Sequence, residues 1–440
     1  MRLHATRRAA IAQARGLGNP LWDLAGVPPS LDLRFAESKS LVDAVSGQQL
    51  ITFARASDGT FVNSAGQIEI AGPNVPRFTH NPTTLESLGL LVEEQRTNSI
   101  RNNTMVGAVA GTPGTLPTNW NENLAGVSRS IIETGIEDGV NYIELRLQGT
   151  PTSGELVLQF DANTQTVATA SSVWTGSFYA RMTGGSLTNI IASSVRIREA
   201  NAAGGLLNAH YQSFTPTSAR LATQRSVGTA TLGASAERVN LGLSLGLTVG
   251  QAIDITLRIG LPQLEQGAFV TSAIPTTGTA ATRTADVVSI TGANFSSWYR
   301  QNEGTVFAES SSFSNLSGSR VVSAIDDGSM SNRFQITFAS GYTPNFAAVS
   351  TGTVSADLYA SAPAQGFNTR FCTTYGVNDF VLSSNGGNSV TDTSGALPIS
   401  VSTARLGVFQ NNTGYLNGTI RRLTYWPQRL PNSTLQNITL

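Results

Sequence analysis

Five groups of residues in this 440-residue chain have the types and spacing to do chemistry. Gly242-Leu243-Ser244-Leu245-Gly246 has the G-x-S-x-G spacing that lifts a nucleophilic serine onto a sharp strand-to-helix turn. Glu93-Glu94 is an adjacent carboxylate pair, and Glu133, Glu137 and Asp138 form the densest acidic cluster. Either could serve acid–base cleavage of a glycosidic bond, which needs two carboxylates about 5 to 9.5 Å apart across a groove. Asp326-Asp327-Gly328-Ser329, with Asp379 and Asp392 on other loops, offers oxygens to a calcium ion. Trp120, Trp174, Tyr179, Tyr211, Trp298, Tyr299, Tyr342, Tyr359 and Trp426 could stack against sugar rings.

The elements that would carry these residues argue against most of that chemistry. Ser244 lies inside an alternating run, Leu241, Leu243, Leu245, Leu247 and Val249, and faces away from the leucines with no helix following. His4, His80 and His210 are the only histidines that could serve it as base. Neighbouring residues of a strand point to opposite faces, so Glu93 and Glu94 cannot flank one bond; Arg96 or Arg55 is the expected partner. Glu133, Glu137 and Asp138 sit beside Gly135 and Gly139 and read as solvated turn residues. Asp327-Gly328 reads as the centre of a type I′ hairpin turn. The aromatics read as core or rim packing, and none is singled out as a ligand platform. No catalytic, cofactor or metal residue is therefore assigned, and the ligand-binding residues stay open.

In chain order, residues 2 to 15 favour a helix, with Leu3, Ala10, Ile11 and Ala14 on one face and Arg2, Arg7, Arg8 and Arg15 adding charge. It reads either as a solvated terminal helix or as a docking arm. Residues 31 to 100 form a strand-rich leader with turns at Asp58-Gly59, Ala65-Gly66 and Gly72-Pro73. From 101 to 285 the alternation predicts a β-sandwich. Its last two strands, Leu241 to Val249 and Ile253 to Leu261, read as a half-buried antiparallel pair around Gly250-Gln251. Ile274-Pro275-Thr276-Thr277-Gly278 reads as a non-helical linker setting the angle between two modules. Residues 286 to 440 read as a second sandwich, with a last strand region ending at Leu430. A helix capped by Asn432 or Ser433 then runs to Ile438. The expected class is all-β: two antiparallel, jelly-roll, lectin-like sandwiches after an N-terminal helix and docking region spanning 1 to 30.

The wording of three passages goes further. Arg55, Thr60, Pro76, Arg77, Phe78, Glu93, Glu94, Arg96, Thr97 and Asn98 fall in F-x-R-A-S, P-R-F and G-L-L-x-E-E-x-R-T-N phrases. Leu261 to Asp286 adds Q-L-E-x-G-A-F, S-x-I-P-T and T-R-T-A-D. Together these resemble bacteriophage tail-fibre and head-spike proteins. Pro117 to Trp120 and the Q-L-E-x-G turn are similar to the bounds of their carbohydrate-binding-module-like domains. The close, G-x-I-x-x-L-x-Y-x-P, resembles laminin-G and concanavalin-like sandwiches. The resemblance implies a non-enzymatic virion protein made in the bacterial host cytoplasm. It also implies docking to neck, portal, tail or capsid proteins through the N-terminal region, and host surface polysaccharide as ligand. Oligomerisation, often trimeric, is implied too. A capsule depolymerase or a prophage-encoded secreted lectin or adhesin is the alternative.

Composition agrees with that setting. Lys and Arg balance Asp and Glu at 28 each, so a nucleic-acid partner, which favours a basic field, is not expected. Only 13% of residues are charged, and Lys39 is the single lysine. Cys372 is the single cysteine, which rules out an internal disulfide and a cysteine-based zinc site. Neither a membrane span nor a secretory signal is expected, since Gln13 and Arg15 interrupt the apolar N-terminal stretch.

Overall fold

The computed structural model describes residues 20–314, 318–362 and 368–440; the helix expected over residues 2 to 15 lies outside them. The described chain is all-β, and its strands pair antiparallel into two sandwiches of the lectin-like, jelly-roll type. One sheet of the first sandwich runs Arg225–Thr231, Val173–Gly185, Ile253–Gln266, Val140–Gly149, Ser128–Glu137. The facing sheet runs Leu206–Ser213, Ile190–Ala200, Arg238–Leu247, Glu155–Gln159, Asn121–Asn123. Thr166–Val167 pairs beside Arg238–Leu247.

The two most regular strands do not pair with each other. Arg238–Leu247 and Ile253–Gln266 lie in opposite sheets, so Leu241, Leu243, Leu245 and Leu247 meet Ile253, Ile255, Leu257 and Ile259 across the core. Side by side, two one-faced strands would present a wider apolar face still needing cover. Face to face, each covers the other, and every such side chain removed from water contributes about 1.5–3 kcal/mol.

The second sandwich draws strands from both ends of the chain. One of its sheets runs Val390–Asp392, Asp379–Ser384, Thr369–Gly376, Glu303–Ser312, Gly418–Trp426, Ser87–Val92, Phe78–His80, with Leu31–Leu33 also on Gly418–Trp426. The other runs Thr52–Ala54, Val287–Thr291, Thr403–Leu406, Arg320–Asp326, Arg333–Phe338, Pro344–Ser350, Thr353–Tyr359. Leu31, Leu33, Phe53, Leu90 and Val92 from the leader share one core with Phe334, Phe346, Phe371 and Tyr425. The last strand ends at Trp426 rather than at Leu430. The final helix, Asn432–Thr439, has Pro431 at its N-cap, which places Asn432 and Ser433 inside the first turn. Its Leu435 and Ile438 pack with Trp426, Leu430 and Leu21. The Asp327-Gly328 hairpin is a longer loop in which Gly328, but not Asp327, has positive φ, so it is not a type I′ turn.

The chain leaves this second sandwich at Arg96–Asn98 and re-enters it at Ala281–Arg283, and those two strands pair: Asn98 lies opposite Ala281 and Arg96 opposite Arg283. The first sandwich is thus inserted into the second, and the neck holds a cluster of buried charge. Asp286 accepts from Arg55 at 3.2 Å and from Arg77 at 2.6 Å; Arg77 also meets Glu93 at 2.8 Å, and Arg283 lies 3.5 Å from Glu93. Ser272 donates to both Glu93 oxygens, through its N–H at 2.8 Å and its hydroxyl at 2.7 Å. The carbonyls of Ser57, Ala71, Gly72 and Val75 take the remaining Arg55 donors. Glu94 pairs with Arg96 as expected, at 2.6 Å, whereas Glu93 reaches Arg77 and Arg283 rather than Arg55.

The segment expected as a linker is fixed in place. Ile274 and Thr276 are buried, the Ile274 N–H donates to the Gln263 side chain, and the Thr276 N–H donates to the Asn103 side chain. Asn98 donates to the carbonyls of Pro262 and Ile274. These bonds, more than Pro275, set the angle between the sandwiches.

Two outcomes are expected for the neck. Asp286→Ala strands two buried guanidiniums and should cost about 3–5 kcal/mol in a denaturant titration. A loss below about 1 kcal/mol would show the network to be dispensable. Burial by itself would raise the Glu93 carboxyl, but Arg283, Arg77 and the two Ser272 hydrogen bonds hold it down at about 2. The unfolded chain therefore takes up this proton first as the pH falls. The stabilisation, about 3 kcal/mol, is complete above about pH 5 and is lost on the way down to about pH 2. Glu93→Gln should flatten that acid limb of a stability-against-pH curve; an unchanged slope would assign the acid sensitivity to other groups.

Candidate functional site

The sheet ending at Leu206–Ser213 turns one face outward. Val195, Ile197, Leu241, Leu243, Leu156 and Leu158 enter the core, so the residues between them face away. Strand register sorts those outward residues into rows. One row crosses all five strands: Tyr211, Arg196, Gly242, Gln159, Asn121. The next holds Ser213, Ser194, Ser244, Val157 and Asn123, and on the other side Ala209, Arg198 and Asn240 align.

Tyr211 is 52% exposed. Its hydroxyl donates at 3.0 Å to Glu155, three strands away, so the ring reaches along the sheet, with the Arg196 guanidinium 6.0 Å from its centroid. The Ser244 hydroxyl donates to the same Glu155 oxygen at 2.7 Å, and Arg196 Nε lies 3.5 Å from it. Gly242 keeps the floor low beside the ring: a Cβ there would stand 2.7 Å from the Leu158 carbonyl oxygen. Two loops wall one end. Asn240 donates to Asp161 O at 2.7 Å and to Asn163 Oδ1 at 2.9 Å, and Arg198 Nη2 donates to Gly204 O at 2.8 Å. Arg198 Nη1 and Gln159 Oε1 are buried with no partner. Burial and the neighbouring Arg196 hold the Arg198 guanidinium below its ordinary value.

A flat aromatic side, a glycine floor and a fringe of amide, hydroxyl and guanidinium groups suit a pyranose ring. Its C–H face can lie on Tyr211 while its hydroxyls exchange hydrogen bonds with Gln159, Asn121 and Arg196.

The other sequence candidates are accounted for by their partners. Ser244 is bonded to Glu155 and not to a histidine, while His210 is bonded to Glu199. Glu133, Glu137 and Asp138 are not simply solvated: Arg258 binds Glu133, Glu137 and Glu144, Arg181 binds Glu137, and Arg220 binds Asp138. Burial would raise the Glu137 carboxyl, but hydrogen bonds from Arg258, the Leu221 N–H and Arg181 keep it below the usual range. Asp326 pairs with Arg405 and Asp379 with Arg429, and Asp392 accepts from Ser394. Among the described residues no three His, Cys, Asp or Glu side chains converge as a metal site requires.

Of the nine aromatics, Trp120, Trp174, Tyr179, Trp298 and Trp426 are buried, and Tyr299 and Tyr342 pack partly buried against the second core. Tyr211 and Tyr359 stand half exposed. Tyr359 donates to Asp357, which accepts from Asn345, which accepts from Thr337, so the polar groups beside its ring bond to one another. Two clefts, about 410 and 260 Å³, open at the neck beside Phe61, Tyr179 and Ala273 and beside Ile70 and Pro275; Glu93, Ser272 and Arg283 on their walls belong to the ion-pair cluster, while Thr60, His80 and Arg225 bond to the carbonyls of Ala273, Val62 and Thr271. Sequence reading passed over Arg196, Arg198, Gln159 and Glu155. The alternation in Val195-Arg196-Ile197-Arg198 was the available signal, since it sets two guanidiniums on the face opposite the core.

No family model matches the chain, and no curated protein matches it in sequence. Among solved structures, the Ruminococcus gnavus IT-sialidase CBM40 bound to α2,6 sialyllactose aligns at 16% identity and TM-score 0.29, covering 32% of this chain and 85% of that one. The mouse laminin α1 chain, domains LG4-5, aligns at 13% identity and TM-score 0.23, over 69% of this chain and 96% of that one. The CBM22-1-CBM22-2 tandem domain of Paenibacillus barcinonensis Xyn10C aligns at 9% identity and TM-score 0.23, over 73% and 98%. At these scores the likenesses carry no functional argument.

Proposed function

We propose that this chain is a non-enzymatic structural protein of a bacteriophage virion, a tail fibre or head spike. It presents the Tyr211 face of its inserted sandwich to host surface polysaccharide. The observation that carries the binding role is the row Tyr211, Arg196, Gly242, Gln159, Asn121, an open aromatic platform with hydrogen-bonding groups beside a low floor. Glu155 is the only carboxylate those five strands turn to that face, whereas glycoside cleavage uses a pair. The virion setting rests on the resembling phrases, whose Arg55, Arg77, Glu93 and Asp286 form the neck cluster. In this reading the N-terminal region docks to other virion proteins, and copies assemble as a homo-oligomer. Weak single-site contacts then add up to avid attachment. Neither nucleic acid nor membrane insertion has a part in it.

Mass spectrometry of purified particles tests the setting; absence of the chain from particles would sink it. Retention on host polysaccharide tests the binding. Tyr211→Ala should weaken single-site affinity about tenfold, or about 1.4 kcal/mol, and Tyr211→Phe, which keeps the ring, should weaken it far less. Equal binding by wild type and Tyr211→Ala would move the site elsewhere, and release of reducing ends from the polysaccharide would make the protein an enzyme.

A further inference from the structure

The Tyr211 face carries more positive charge than its partners neutralise. The strands turn Arg196, Arg198 and Arg238 outward on it, against the single carboxylate of Glu155, which already accepts from Tyr211 and Ser244. Among the described residues neither Arg198 nor Arg238 makes an ion pair, and Arg196 engages Glu155 and the Tyr211 hydroxyl through Nε alone, with its guanidinium 6.0 Å from the Tyr211 ring centroid. Most arginines elsewhere meet carboxylates: Arg258 meets three, and the neck sets three arginines around two, although among the described residues Arg225, Arg320 and Arg333 also lack an ion pair. Arg198 is 8% exposed, its Nη1 has no partner, and its Nη2 has only the Gly204 carbonyl. A guanidinium taken that far from water without a counter-charge destabilises the fold that holds it. Gln159, one row away, also leaves its buried carbonyl oxygen unbonded.

We propose that the saccharide bound on this face carries a carboxylate, as in a uronic-acid-bearing or other acidic polysaccharide, and that Arg196 and Arg198 receive that carboxylate. The inference rests on the reading of this face as a glycan site. The planar guanidinium matches a carboxylate edge to edge through two parallel N–H donors, which an ammonium or an amide cannot do. The two arginines are two residues apart on one strand and therefore side by side on one face. The sugar ring would lie on Tyr211, with its acid group directed toward the end walled by the 161–164 and 201–205 loops. The low formal charge of the whole protein makes the patch local: it selects at contact, without a long-range field to attract any polyanion.

The test uses the full chain and three acidic polysaccharides, hyaluronan, polygalacturonate and polysialic acid. Each is compared with its carboxyl-reduced, neutral counterpart, with dextran sulfate as a second kind of anion, by calorimetry at two salt concentrations. At least one acidic polymer should bind tenfold or more tighter than its reduced form, with the gap narrowing at high salt. Arg198→Gln and Arg196→Gln should each remove tenfold or more of that preference. Arg198→Gln should also keep or raise the Tm, because it removes an uncompensated buried charge, and this separates a ligand role from a structural one. Equal binding to acidic and reduced forms would overturn the acidic assignment and leave the glycan reading standing. Dextran sulfate binding as tightly as any carboxylate polymer would overturn the carboxylate specificity. No binding to any acidic or reduced polymer would overturn both readings.

Discussion

The fold depends on charges kept out of water at the neck. Arg77 is wholly buried between Asp286 and Glu93, and Arg55 spends its donors on Asp286 and four backbone carbonyls. Such groups are tolerated only when each finds its counterpart, because an isolated buried ion is far more costly than a paired one is helpful. The residues that supply the counterparts come from distant stretches: 55, 77 and 93 from the leader, 272, 283 and 286 from the return. The network therefore forms only when the leader and the return have met, with Ser272 closing it from the inserted side. It acts as a check on assembly as much as a source of stability. Hydrophobic burial supplies most of the driving force, but apolar contacts alone would accept several docking angles. A directional set of ion pairs and hydrogen bonds accepts one.

That arrangement explains why the second sandwich borrows strands from residues 31 to 92. Leu31 pairs opposite Tyr425, and Leu90 opposite Ile420, so the first and last parts of the chain lie against each other in one sheet. The return at Ala281 then has a ready partner in Arg96–Asn98. The Asn98 side chain reinforces this corner by bonding four backbone groups, the carbonyls of Pro262 and Ile274 and the N–H groups of Ile100 and Leu264. The Tyr211 face lies on the insert's sheet that ends at Leu206–Ser213, where Tyr211 and Asn121 stand exposed above the buried Arg196, Arg198 and Ser244.

Strand type and facing were legible in the sequence because period-two alternation reports which side of a strand is buried. Alternation does not report which sheet a strand joins, and for that reason Arg238–Leu247 and Ile253–Gln266 read as neighbours although they lie across the core from each other. The leader's membership in the second sandwich was illegible for a related reason: Leu31 and Tyr425 are separated by nearly the whole chain, and a three-residue strand has no pattern of its own. The neck residues stood out as phrases but not as a network, since Arg77 and Asp286 lie on either side of the whole inserted sandwich in the chain. At the candidate site, Tyr211 was among the aromatics considered and nothing local separated it from buried Trp174. Gly242 belonged to a spacing that suggests a nucleophile; in the structure it lets its strand lie close to the neighbouring one, since a Cβ there would stand 2.7 Å from the Leu158 carbonyl oxygen.

The insertion geometry has an evolutionary corollary. Both ends of the inserted sandwich meet in one short antiparallel pair, where facing Cα atoms stand about 5 Å apart. A body of this kind does not register the length or fold of what loops out between Asn98 and Ala281, provided the two ends return side by side and Ser272 or a substitute closes the charge cluster. The joint is a socket. Recombination at the flanking phrases could exchange one insert for another while every strand pairing of the carrier stays in register.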